Sequence, residues 1–159
     1  MAGALKGGIA RMQAGIMMGY GVKEDQVSSY QIATVLGLMG RFEEGLRTID
    51  KSLRVIERTG PRFNEAEAHR VKGELLMMQD ASNAAQAEQS FRTAIEVARR
   101  QSAKSWELRA TTSLARLLDK QGKRDEARAM LVEIYNWFTE GFDTADLKDA
   151  KALLEELGR

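Results

Sequence analysis

The sequence predicts an all-α fold, a stack of antiparallel helical hairpins closed by a C-terminal helix, and three observations carry that expectation. A block near the middle, Gly40-Arg41-Phe42-Glu43-Glu44-Gly45-Leu46, returns near the end as Gly122-Lys123-Arg124-Asp125-Glu126-Ala127-Arg128. Each copy has a turn glycine, a basic residue, an acidic pair and a small residue at the opening of a helical pattern. The apolar residues recur at helical spacing almost throughout, and alternating runs of β-branched residues are missing. Proline occurs once, at Pro61, where it separates two units and interrupts no helix. A segment repeated at this period means stacked helical hairpins, because one hairpin cannot bury its own apolar face.

The elements follow in order. Residues 1–22 are the least regular: Leu5, Ile9, Met12 and Ile16 keep a helical spacing, but Gly3, Gly7, Gly8, Gly15, Gly19 and Gly21 intervene. Each of these costs a helix about 1 kcal/mol relative to alanine. A first hairpin spans 26–59 and breaks at Gly40, and Gly60-Pro61 ends it. The second spans 64–101, starts with a capping-box-like Asn64 and Glu67, and breaks at Asp80-Ala81-Ser82-Asn83. The third spans 104–140, turns at Gly122 and stops at Gly141. A capping helix over 143–158 opens on Asp143 or Thr144. It carries Leu147, Ala150, Leu154 and Leu157 as one apolar stripe and leaves Lys148, Asp149, Lys151, Glu155 and Glu156 wet.

Composition narrows the function classes. At 159 residues the chain forms one domain large enough for a real core. Cysteine is absent, which excludes disulfides and thiol nucleophiles and suits a reducing cytoplasm. Lys+Arg (24) and Asp+Glu (23) nearly cancel, so no overall field favours nucleic acid or anionic lipid. No apolar run is long enough to span a bilayer, and the N-terminus lacks a compact signal core. The expectation is a cytoplasmic protein with neither membrane nor nucleic-acid partner.

Catalytic, cofactor and metal constellations are missing. His69 is the sole histidine, and its bland reading is a helix-face residue. The carboxylate pairs Glu43-Glu44 and Glu155-Glu156 occupy adjacent helix positions and diverge. Gly7-Gly8 lacks the lysine and hydroxyl ending of a phosphate loop. Eight methionines, with pairs at Met17-Met18 and Met77-Met78, read as core fillers before they read as a binding surface. Trp106, Trp137 and Phe138 read as packing anchors.

The spacing resembles the tetratricopeptide repeat, in which helices cross closely where small residues face large ones. The third unit supplies Leu114-Ala115, Leu118, Gly122, Ala127, Leu131 and Ile134; the second supplies Gly73, Leu76, Ala87, Phe91 and Ala94; the first supplies Ile32-Ala33, Leu36, Gly40, Gly45, Ile49 and Ser52. Gly45 to Ala87 is 42 residues and Ala87 to Ala127 is 40. The usual period is about 34, so each helix should gain nearly a turn.

Three stretches carry a further likeness, Phe63 to Leu76 (Phe63-Asn64-Glu65-Ala66-Glu67-Ala68-His69-Arg70-Val71-Lys72-Gly73-Glu74-Leu75-Leu76), Ala103 to Leu117 (Ala103-Lys104-Ser105-Trp106-Glu107-Leu108-Arg109-Ala110-Thr111-Thr112-Ser113-Leu114-Ala115-Arg116-Leu117) and Trp137 to Leu154 (Trp137-Phe138-Thr139-Glu140-Gly141-Phe142-Asp143-Thr144-Ala145-Asp146-Leu147-Lys148-Asp149-Ala150-Lys151-Ala152-Leu153-Leu154). They resemble the C-terminal repeat region of bacterial multidomain proteins that join a class III adenylate or guanylate cyclase domain to a signal-transduction ATPase. The resemblance implies a sensory or scaffolding repeat region. Because the chain has no Walker A loop and no room for a cyclase domain, that family's catalytic residues do not carry over.

In such a repeat the first helix of each hairpin lines the concave face. That spacing selects Tyr30 and Thr34 from the first unit, Glu67, Arg70 and Glu74 from the second, and Arg109, Thr112, Arg116 and Asp119 from the third. Arg109 and Arg116 lie two turns apart on one face, with Arg70 on the neighbouring helix. The three form either a ladder for the carboxylates of an acidic protein or peptide, or an ordinary wet surface in which they pair with Glu67, Glu74 and Asp119. The function expected is noncatalytic protein binding, with self-association through the N-terminal helices into a homodimer as the alternative.

Overall fold

A computed structural model describes residues 28–59 and 64–159, and among them the fold is all-helical. The helix expected over 1–22 and the Gly60-Pro61 break lie outside the described residues. The helices are α1 (Ser29–Leu38), α2 (Phe42–Thr59), α3 (Glu65–Gln79), α4 (Ala84–Arg100), α5 (Lys104–Lys120), α6 (Arg124–Tyr135) and α7 (Ala145–Leu157), with a 3₁₀ turn at Ala81–Asn83. No described helix is long and apolar enough to cross a membrane.

The turns explain why the chain doubles back where it does. Gly40 and Gly122 take the left-handed backbone, with φ of +73° and +77°. On either side of them Arg41 N donates to Leu36 O and Lys123 N to Leu118 O, both at 2.9 Å. This is the Schellman closure of a helix end. The same bonds recur between α4 and α5, where Ala103 N donates to Ala98 O at 2.9 Å and Ser102 takes φ of +54°. The chain leaves α3 differently. Asp80 accepts from Ser82 N at 2.7 Å, which caps the 3₁₀ turn, and Asn83 Nδ2 donates at 3.2 Å to Leu76 O, an oxygen that also accepts from Asp80 N.

Packing is between neighbours. Each helix lies against the next, and α1, α3, α5 and α7 also lie successively side by side. The main core runs from α3 to α7 around Leu108, Leu114, Leu118 and Leu131, each at most 1% exposed. Burying each such leucine contributes about 1.5–3 kcal/mol. A second cluster of Ala33, Ile49, Ala68, Val71 and Leu75 joins α1 and α2 to α3. A third, of Ala66, Val97 and Ala98, is covered by Trp106. Close approach rests on small residues: a Cβ at Gly73 would stand 2.5 Å from the Phe91 ring, and one at Gly45 would stand 3.1 Å from Leu75.

Several local expectations change. The segment expected to stay helical to Glu140 leaves the helix at Tyr135, because Trp137 N and Phe138 N make tight bonds to Ile134 O and Tyr135 O. Trp137 then stands 57% exposed, edge-on to Phe138 and beneath the Lys104 ammonium, and is not a core anchor. Asn64 precedes α3 without capping it; its amide donates instead to Ser28 Oγ at 2.8 Å, and Glu67 serves two arginines. Thr144 is the N-cap of α7, but its hydroxyl turns back to Gly141 O at 2.7 Å. The buried stripe of α7 is Leu147, Ala150, Leu153 and Leu157, with Leu154 half-buried. None of the described methionines is fully buried.

Candidate functional site

The face shared by α3, α5 and α7 carries a charged network. Arg70 sits one turn after Glu67 and one turn before Glu74 on α3, so its guanidinium is bracketed by both. Its Nε donates to Glu67 at 2.9 Å, and its terminal nitrogens donate to Glu67 at 2.7 Å and to Glu74 at 2.8 Å. From α5, Arg109 reaches Glu67 at 3.2 Å and Asp146 of α7 at 2.9 Å. Arg116, two turns on, bonds Asp149 at 2.6 Å, and Ser113 Oγ donates to Glu74 at 2.6 Å. Glu67 is the keystone, a carboxylate only 3% exposed beneath two guanidinium groups.

An open cavity of about 220 Å³ lies over this network, walled by Arg70, Glu74, Arg109, Thr112, Arg116 and the two α7 aspartates. The site therefore gathers Glu67, Arg70, Glu74, Arg109, Thr112 and Arg116 from the nine residues that the spacing selects. It does not include the other three. Tyr30 packs in the α1–α3 cluster, exposed Thr34 donates to Tyr30 O at 2.8 Å, and Asp119 faces Arg124 at 3.8 Å. Thr112 is buried and donates to Leu108 O at 2.8 Å, so its hydroxyl is already engaged within α5.

All three arginines hold carboxylates of the chain itself. Arg116 takes Asp149 where the sequence offered Asp119. Against the three stand Glu67, Glu74, Asp146 and Asp149, a formal sum of −1, so the face is no cationic strip. The sequence reading missed Ser113, Asp146 and Asp149. The signal for the last two was present: α7 lies beside α5 as α5 lies beside α3, so its own first-helix positions belong on the same face.

A second cavity of about 230 Å³ shares Glu74, Ser113 and Arg116 with the first and continues toward the C-terminal ends of α3 and α5. Its floor is apolar, formed by Met77, Met78, Phe91 and Leu117, and Lys120 stands at its mouth. The trough thus changes from charged to apolar along its length. Among the described residues no cluster of three or more acidic or histidine side chains is placed to hold a metal ion.

Another buried carboxylate lies outside the trough. Glu107, in the first turn of α5 and 2% exposed, accepts from Arg99 Nε and Lys104 Nζ, both at 2.7 Å. Burial alone would raise its carboxyl, but the bonds to Arg99 and Lys104 outweigh burial and hold it below the ordinary value of 4.5. The folded chain thus binds the proton more weakly than the unfolded chain does. The stabilisation is complete above pH 4.5 and is lost as the pH falls through the lower folded value. Glu107→Gln is expected to cost about 1 kcal/mol at neutral pH, since both cations are partly solvated. In urea unfolding the gap between variant and wild type should close on acidification below that range; a constant gap would overturn this account.

Scans against protein-family models and against curated proteins find no match for this chain.

Proposed function

We propose that the chain is a noncatalytic protein–protein interaction module of the tetratricopeptide type, a superhelical stack of antiparallel hairpins serving as a scaffolding or regulatory element in bacterial cyclase- and ATPase-linked signalling. One observation carries this reading: α1, α3, α5 and α7 lie successively side by side, and the last three open a polar trough suited to an extended or helical peptide. Supporting it, Ala33, Gly45, Ile49, Gly73, Leu76, Ala87, Phe91, Ala94, Leu114, Ala115, Leu118, Ala127, Leu131 and Ile134 are buried at positions that the repeat reserves for its packing, whereas Ile32, Leu36 and Ser52 of the first unit are half-buried. The signalling context rests on the sequence resemblance alone.

The test is affinity capture from bacterial lysate with wild type and with Arg116→Glu as baits. Arg116 is exposed, so its reversal should leave the helical circular-dichroism signal intact. A protein held by wild type and lost by the variant supports a binding trough. Retention of identical proteins by both baits places binding elsewhere, and recovery of the chain alone defeats the reading.

One observation favours self-association into a homodimer as the second reading. α1 is apolar on nearly every side, yet Ile32, Val35 and Leu36 are only half-buried and Leu38 is 77% exposed. Such a helix is covered by something in a stable assembly. Light scattering across a concentration series distinguishes this reading, which requires a mass above that of the monomer.

A further inference from the structure

The apolar end of the trough has features that the charged end lacks. Met77 and Met78 end α3, and Leu117 lies on the adjacent turn of α5 from Ser113; with Phe91 they floor a cavity of about 230 Å³, room for one large side chain. Phe91 and Leu117 are buried and fixed, while Met78 is 46% exposed. Methionine's unbranched, polarizable thioether adapts to differently shaped apolar partners, and methionine is enriched at protein interfaces.

Charge at the mouth leaves one cation without an ion partner. Glu74, on one wall, is already bonded to Arg70 at 2.8 Å and to Ser113 at 2.6 Å. Opposite it, Lys120 is exposed and forms no ion pair with any described residue. Arg116 uses one terminal nitrogen on Asp149 and still borders the pocket. An occupant therefore meets an adaptable apolar floor and, beside it, one cation without an ion partner, Lys120.

We propose that this pocket takes a leucine-sized side chain of a partner peptide, with a carboxylate on a neighbouring residue engaging Lys120. The inference rests on the reading of the chain as a protein-binding module and names the chemistry of its ligand. Charge complementarity selects the acidic neighbour, and the methionine floor selects the apolar anchor. A basic neighbour would meet the unpaired Lys120 ammonium and be disfavoured.

The test is a titration of the full chain, labelled with ¹³C on its methionine methyl groups, with a blocked peptide bearing two leucines between aspartates and glutamates. A basic twin carries lysines in place of the acids, and a polar twin carries serines in place of the leucines. Met77→Leu and Met78→Leu assign the two signals. The expected result is saturable shifts of the Met77 and Met78 methyl signals with the acidic leucine peptide and none with either twin. Lys120→Glu should weaken the binding by about tenfold or more. Unmoved Met77 and Met78 signals, or equal shifts with the basic twin, overturn the pocket. The two readings fail separately: proteins captured from lysate equally well by wild type and by Met78→Ser/Lys120→Glu, yet lost by Arg116→Glu, would sink this pocket and leave the module standing.

Discussion

Gly73→Ala is expected to destabilise the chain by about 1–2 kcal/mol, although alanine is the better helix former by about 1 kcal/mol. Gly73 lies inside α3, where a Cβ would meet three Phe91 ring atoms at 2.5, 2.8 and 2.9 Å. The ring is 3% exposed and belongs to the main core, so it must either shift toward the cavity that it floors or push α3 and α4 apart, and both disturb the packing. Overpacking should thus exceed the propensity gain. Urea unfolding reads the sign directly, and a second change decides the cause. In the background of Phe91→Leu, which removes the ring, Gly73→Ala should become neutral or stabilising. A stabilising effect of Gly73→Ala alone would show that the two helices yield more easily than their packing implies.

Glu67→Ala should cost about 2–3 kcal/mol, the second large effect. The substitution removes a carboxylate 3% exposed and leaves Arg70 and Arg109 without their shared acceptor. Arg109 is 41% exposed and recovers hydration, whereas Arg70 at 19% recovers less, which keeps the cost below that of a fully enclosed pair. Asp149→Ala is the matched comparison, because its pair with Arg116 is exposed on both sides at 46% and 53%. That change should stay within about 0.5 kcal/mol. Equal losses for the two variants, measured by the same unfolding experiment, would mean that burial does not set the strength of this network.

Much of the fold was legible because its signals are local. The repeated block marked two turns, and Gly40 and Gly122 do adopt left-handed backbone with matching hydrogen bonds. Small-large pairs such as Gly73 and Phe91 could be read because close helix crossing demands them. What could not be read depends on partners far along the chain. Asn64 and Glu67 have capping-box spacing, but Ser28 takes the first and two arginines take the second. The chain leaves α6 at Tyr135 where Trp137 N and Phe138 N close three-residue turns, and the Trp137 ring beyond them meets Phe138 and a cation from α5, contacts that no helical periodicity encodes. In the trough, Arg70, Arg109 and Arg116 were found from spacing within repeats. Asp146 and Asp149 were missed because α7 looked like a lid with a wet outer face, although it contributes a charged edge to the same surface.

The nearest-neighbour packing makes the molecule behave as a row of springs joined end to end. No extensive contact links helices more than two places apart among the described residues, so a pull on α1 reaches α7 only by way of α3 and α5. Deformation is shared among those junctions, each yielding a little, and the curvature of the trough can change without any single interface breaking. The two ends also loosen independently, since α1 and α2 rest on the small cluster at α3 while α5, α6 and α7 share the larger core. Such a stack bends along its whole length, and has no need of a hinge.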